Sequence, residues 1–263
     1  MTILGIVGCR MFEDEITHVI SKDPDIDRVY IIEHEENKGL LHKLKAEGFD
    51  PVTLPFYKIK SDLKRSNEFS VIVHLQGMGL HINPVRLKNE TYTNISLMTR
   101  SVDGILLFYG SCGRAFSRVK RDFAHTGCFI EVLQDNSSES IKPLEDCIAA
   151  ALGGNSRYRK ILRSHSDTFF LTPMWAVNWK TAFRVGDELL MGFEFTPKHL
   201  RKLGYRKVAR INTKLSYEPN FEKRIEEFAS NFGFEVIELE GSTEIVQNSY
   251  NWMRNMLISP LKT

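Results

Sequence analysis

DGILLFYGSCG (residues 103–113) runs without a polar break from Gly104 to Tyr109 and then stops at a Ser-Cys pair set between glycines. A strand that is apolar throughout is buried on both faces, as in a parallel sheet covered by helices. Comparable runs stand at ILGIVGC (3–9), RVYIIE (28–33), FSVIVHL (69–75) and GCFIEVL (127–133). Between them Met11, Phe12, Ile16, Val19 and Ile20 recur at helical spacing, as do Leu40, Leu41 and Leu44 before Gly48. A further helix is predicted from Asn83 to Arg100, with Pro84 in the first turn, where its missing N–H would be unpaired anyway. Strands alternating with helices imply a mostly parallel sheet.

Beyond NSSES (136–140), the most loop-like stretch, a helix restarts from Leu144 to Leu152 and stops at Gly153 and Gly154. The pattern then repeats. DTFFLTP is a strand, a helix is predicted around Trp175 to Phe183, and a weakly patterned segment precedes a helix ending at Gly204. KVARINT and FEVIELE are strands, Pro219 opens the helix between them, and Ile245, Val246, Trp252 and Met253 mark a closing helix. The expected fold is α/β, with two Rossmann-like open lobes whose mostly parallel sheets leave a cleft at the C-terminal ends of their strands. Residues 1–155 form the first lobe, which carries the cysteine site, and residues 156–263 the second.

Thirty-five Lys plus Arg against 33 Asp plus Glu leave a formal net charge of +2, without the one-signed field that nucleic-acid binding requires. The local run Arg114, Arg118, Lys120 and Arg121 suits an exposed helix face. No apolar run approaches the ~20 residues of a membrane span, and the N-terminus reads directly into a strand with no leader. Four scattered cysteines argue against a disulfide framework and for thiols kept reduced in a cytoplasm.

Cys9 ends the first strand, Cys112 follows the apolar strand, and Cys147 opens the helix DCIAAALGG. Open parallel sheets bind ligands beyond the carboxyl ends of their strands, so these positions are expected to converge. The partial positive charge of a helix N-terminus is expected to favour the thiolate at Cys147, and Gly110 and Gly113 let the backbone around Cys112 turn sharply. His81, in GLHINP, adds an imidazole from the same edge. Three thiolates and an imidazole satisfy tetrahedral zinc. The bland reading stands beside this one: free cysteine is among the most buried residue types, and there is no CxxC or HxxxH spacing. Cys128 starts a strand and reads as core, while His18, His42, His125 and His165 read as solvated.

Thr172, Trp175 and Trp179 follow a strand, with the tryptophans one helical turn apart. They are placed either to stack on a flat ligand or to fill the core between the lobes. Gly241, Ser242 and Thr243 suit an anion site or an ordinary N-cap. No GxGxxG follows the first strand, and no phosphate-loop or GxSxG motif occurs.

GCRMFEDEI, GILLFYGSCG, DCIAAALGG, TFFLTPMWAVNW and FEVIELEGST together resemble an uncharacterised family, domain of unknown function 1638, over nearly the whole chain. The family pattern carries cysteines where Cys9, Cys112 and Cys147 stand and a histidine at LHINP. Where many bacterial relatives have a histidine before the third cysteine's aspartate, this chain has Glu145. The resemblance implies a setting of corrinoid-dependent methyl transfer, in the manner of methanogen members. Three functions follow as expectations. The first is a zinc-dependent protein acting on a small thiol or methyl donor, or with a corrinoid protein, through Cys9, His81, Cys112 and Cys147; as an enzyme it would be a methyltransferase. The second is a non-catalytic binder of a corrinoid or other tetrapyrrole, with Gly113, Thr172, Trp175 and Trp179 around the cofactor. The third is a redox protein in which Cys9 and Cys112 pair.

Overall fold

The computed structural model describes residues 2–63, 69–135, 141–181 and 196–258, with backbone pairing also for 184–185 and 188–189. The loop expected at 136–140, the end of the helix expected to reach Phe183 and most of the weakly patterned segment lie outside the described residues.

Six parallel strands make the larger sheet: β1 (Thr2–Cys9), β2 (Ile26–Ile32), β3 (Val52–Leu54), β4 (Phe69–Gln76), β5 (Gly104–Phe108) and β6 (Phe129–Val132), in the order β3-β2-β4-β1-β5-β6. Helices α1 (Glu13–Ser21) and α2 (Lys38–Ala46) follow β1 and β2, and the short α3 (Ile59–Asp62) follows β3. Helix α4 (Pro84–Met98) joins β4 to β5, and α5 (Val119–Asp122) joins β5 to β6. The period-two alternation of a strand sends Leu4, Ile6, Leu106 and Phe108 into one core and Ile3, Val7, Ile105 and Leu107 into the other. This explains why these strands read as apolar throughout.

Neighbouring strands β1 and β4 send the chain opposite ways. From β1 it moves through α1 towards β2, and from β4 through α4 towards β5. Their loops diverge to the two faces and leave a crevice beyond the strand ends, the place where open α/β sheets take ligands. Cys9 is level with Gln76 across that boundary.

After the two-residue pair β7 (Gln134–Asp135) and β8 (Lys142–Pro143) come α6 (Cys147–Ala151) and α7 (Asn155–Ser164). The second sheet is also parallel, β13-β12-β9, formed by β9 (Thr168–Leu171), β12 (Lys207–Asn212) and β13 (Glu235–Glu240). Helices α8 (Pro173–Asn178), α9 (Pro197–Lys202) and α10 (Phe221–Phe232) accompany it, and β10 (Arg184–Val185) pairs with β11 (Glu188–Leu189). Residues of α6 and α7 pack with Ile211, Phe170 and Leu239 of this sheet. Within the span assigned to the second lobe, the closing helix α11 (Glu244–Ile258) packs on the first sheet, where Ile245, Val246, Tyr250 and Met253 join the core. Gly104 permits the approach, since a Cβ there would lie 2.5 Å from Met253 Cε. Tyr250 Oη donates to Asp23 Oδ2 at 2.7 Å and ties the helix to the end of α1.

Further contacts join the lobes beside those of α6 and α11. Met11 inserts into the second lobe's core beside Leu171, Met174 and Trp175. Lys43 Nζ, buried, meets Glu13 Oε1 (2.7 Å), Asp14 Oδ1 (2.6 Å) and, from beyond β12, Glu218 Oε1 (2.5 Å). No helix among the described residues is long and apolar enough to cross a membrane.

Replacing Lys43 with Met would leave three carboxylates facing one another in a desolvated pocket. The expected loss, read by urea denaturation at neutral pH, is about 3–5 kcal/mol. A pH series tests the neighbouring carboxyl. Burial pushes Glu15 up to about 8, from an ordinary value near 4.5. Between those two values the folded state holds a proton that the unfolded chain has released, so stability falls as pH rises through that window. Glu15→Gln should flatten this slope and recover on the order of 3 kcal/mol at neutral pH.

Candidate functional site

Three stretches far apart in the chain each deliver a cysteine to one cavity of about 340 Å³. Cys9 is the last residue of β1, Cys112 lies in the turn after β5, and Cys147 is the first residue of α6. His81 reaches the same cavity from a single helical turn after β4, a turn that Gly79 enters with φ 87° and that Asn83 closes by capping α4. Gly113 and Trp175 also line it.

The approach of the second and third cysteines rests on Gly110. A Cβ at that position would come 2.6 Å from Asp146 Cα and 2.8 Å from its nitrogen, so only glycine lets the chain before α6 cross the end of β5. Ser111 fastens the crossing: its N–H donates to Leu144 O (2.6 Å) and its Oγ to Glu145 O (2.9 Å). Beyond it, Cys112 (φ 39°), Gly113 (φ 69°) and Arg114 (φ 66°) are consecutive left-handed residues. For the two side-chain-bearing members this costs of order 1–3 kcal/mol each, strain that concentrates where a side chain must be aimed.

Asp146 caps α6. Its Oδ1 accepts from Ala149 N (2.8 Å) and its Oδ2 from Tyr158 Oη (2.9 Å). On the other side, Trp175 Nε1 donates to Cys147 Sγ at 3.4 Å, and the Trp175 ring stands edge-on to His81 with centroids 6.1 Å apart. A second-lobe tryptophan therefore holds two first-lobe residues of the site.

Burial dominates the electrostatics. It pushes the Cys9 thiol up to about 11 and Cys112 up to about 12, and a charge at Cys9 raises Cys112 further. Cys147 is also pushed well above the ordinary thiol value, first by burial and then by Asp146. The expectation that the helix N-terminus would favour its thiolate is thus corrected. α6 has only five residues and carries an aspartate as its cap, so its end offers no field to outweigh desolvation. Burial likewise pulls His81 down, against the opposing charge of Asp146, and so favours its neutral form.

Two other expectations are also corrected. Thr172 is buried as the cap of α8, accepting from Trp175 N at 3.3 Å, and does not line the cavity. Trp179 packs against Phe228 (5.3 Å) and Phe232 (5.5 Å) in the second lobe's core. Helix α8 is a single short wedge, so two tryptophans one turn apart flank different neighbours instead of forming one stacking wall. Ser242 Oγ accepts from Glu244 N at 3.2 Å, a local turn leading into α11. Cys128 lies in the core, away from the cavity.

No three of Cys9, His81, Cys112 and Cys147 bring their ligating atoms within 4.8 Å of one another; among the described residues, the group drawn that close is Glu13, Asp14 and Glu218. Lys43 Nζ already stands among those carboxylates as their cation. Residue patterning did not single out that cluster, although FEDE (12–15) opening a helix was its visible signal. Nothing local marks Tyr109 and Gly77, which also line the cysteine cavity, and Asp146 stands out in the sequence only as the aspartate beside the third cysteine.

Gly110→Ala tests the crossing. Its Cβ would strike backbone rather than a movable side chain, so a loss of more than about 2 kcal/mol is expected by urea denaturation. Cys112 and Cys147 should also react faster with a maleimide in the native protein than they do in wild type.

No curated protein matches the sequence at a significant level. A family model does, over residues 75–250, a span that holds His81, Cys112, Cys147 and Trp175 and begins after Cys9. Two thirds of the polypeptide is thereby accounted for, and the chain belongs to the family described as "Protein of unknown function (DUF1638)".

Proposed function

We propose that the chain is a metal-binding protein, with zinc the best match to its donors, that acts on a small thiol or methyl donor in the cavity between its lobes. The observation that carries this reading is the common cavity of Cys9, His81, Cys112 and Cys147. Thiol sulfur and imidazole form the donor set that suits zinc, while oxygen-rich sites suit magnesium or calcium. Glu145 and Asp146 line the cavity and, among the described residues, no lysine or arginine does, so its field favours a cation.

A resident zinc ion would supply Lewis acidity and make a coordinated thiol nucleophilic at neutral pH. The chain's own residues do the rest. Met11, Phe12 and Leu80 exclude water from one wall, and Trp175 orients Cys147 through its N–H. Because no three donors stand within 4.8 Å of one another, capture of an ion requires side-chain rotamers to change.

The family resemblance supports a corrinoid-linked setting, with a corrinoid protein as methyl source or acceptor. A cavity of about 340 Å³ is near the lower end for small-molecule pockets, roughly 300–1,000 Å³. That size, with Trp179 turned into the core, favours a small substrate over an enclosed tetrapyrrole.

Anaerobically purified protein should carry about one transition-metal ion per chain by elemental analysis. Cys112→Ser and Cys147→Ser should each lower metal affinity roughly 10–100-fold while leaving the far-ultraviolet circular dichroism unchanged. Wild-type protein that is metal-free and takes up no added zinc would sink the reading. If that same protein lost two free thiols on mild oxidation, the Cys9–Cys112 redox reading would replace it.

A further inference from the structure

Next to the cysteine cavity, beyond the end of β4, lies a groove of about 290 Å³ lined by His34, Phe56, His74, Gln76, Glu90 and Asn94, among others. Gly77 lines both spaces, so they meet at the boundary where the β1 and β4 loops diverge.

The hydrogen bonds behind this groove fix what its walls offer. Asn37 Oδ1 accepts from Leu75 N (2.7 Å), and its Nδ2 donates to Ile32 O (2.5 Å). Both partners are backbone groups with a single role, so the amide orientation is determined. The same Nδ2 lies 3.4 Å from His74 Nδ1, which therefore acts as an acceptor and leaves the proton on Nε2. Burial pulls His74 down to about 3, which keeps that ring neutral.

Gln76 is committed in the same way. Its Oε1 accepts from Thr91 Oγ1 (2.7 Å) and Tyr109 Oη (3.0 Å), which leaves its NH₂ as the group to offer. His74 and Gln76 are 4% and 3% exposed and lie two apart on β4, on one face. Among the described residues, neither His74 Nε2 nor Gln76 Nε2 has a hydrogen-bond partner.

Two fixed donors in a wall call for an acceptor. Among the described residues the lining contains no lysine or arginine, and it contains Glu90, whose carboxylate accepts from Arg86 Nε (2.6 Å). An anionic acceptor would meet no cation in the lining, since the nearby Arg86 is committed to Glu90, so the acceptor that fits is uncharged. Phe56, 4.9 Å from His74 centroid to centroid, and His34, at 5.4 Å, add flat rings beside the donors.

The geometry points to a second subsite that binds a neutral carbonyl or carboxamide on a flat group, donated to by His74 Nε2 and Gln76 Nε2. A substrate extending past Gly77 would be held there by its recognition end while its other end lies among the cysteines. The inference goes beyond the proposed function and takes from it only the cysteine cavity as the reacting end.

Benzamide is the probe, followed by ¹H–¹⁵N NMR of the imidazole nitrogens on chelator-treated protein, with benzoate as the charged comparison. Benzamide should shift the His74 Nε2 resonance saturably, and benzoate should bind roughly tenfold or more weakly. His74→Phe keeps the ring and removes the donor, and Gln76→Leu removes the other donor. Each should weaken benzamide about tenfold. If either variant fails to fold, the wild-type comparison of amide with carboxylate decides alone. No saturable shift, equal binding of benzoate, or undiminished binding in both folded variants would overturn the subsite. Because the measurement is made without metal, failure of the zinc reading leaves it standing, and its own failure leaves zinc binding untouched.

Discussion

The contact on which the site depends is between backbones. At Gly110 the end of β5 and the strand-like approach to α6 touch with no room for a side chain, and Ser111 locks them with two hydrogen bonds. From that crossing follow the cap at Asp146, the placement of Cys147 and the left-handed turn that aims Cys112. A strained turn of this kind persists only where its surroundings over-determine it. Here they do so from both sides, since Gly113 is itself pressed against Pro84 at the start of α4.

Two buried clusters, separated by little more than Met11 and Phe12, solve opposite electrostatic problems. Around Lys43 three carboxylates have a built-in cation, which draws the lobes together. In the cysteine cavity, three desolvated thiols sit with His81, Glu145 and Asp146 and, among the described residues, no lysine or arginine. Desolvation keeps those sulfurs protonated, so the cavity is neutral on its thiol side and poised towards positive charge. The first cluster is a structural joint; the second has the composition of a receptor.

The fold was legible where a single element carries its own pattern. Fully apolar strands with intervening helical periodicity named a parallel sheet, and Pro84 located the start of α4. The convergence of Cys9, Cys112 and Cys147 was legible too, because the strand-end rule needs only the position of a residue within its element. What could not be read is what depends on order in space. The insertion of β4 between β2 and β1 places His74 and Gln76 beside Cys9, and no local signal announces it. Trp175 and Trp179 illustrate the same point. Helical spacing set them on one face, but the shortness of α8 decided that one reaches the cysteines and the other the phenylalanines. The thiol at Cys147 was misjudged because a dipole is visible in sequence and desolvation is not.

The return of α11 to the first sheet has a consequence for biosynthesis. The core around β1 and β5 lacks Val246, Tyr250 and Met253 until the closing helix has left the ribosome, so the lobe made first is the one completed last. The smaller sheet, with all its strands and α10 already present by residue 240, can assemble earlier and hang as a loop between two tethers of an unfinished neighbour. Vectorial synthesis thus runs against the spatial hierarchy of this molecule, whose first sheet waits for α11 to complete its core.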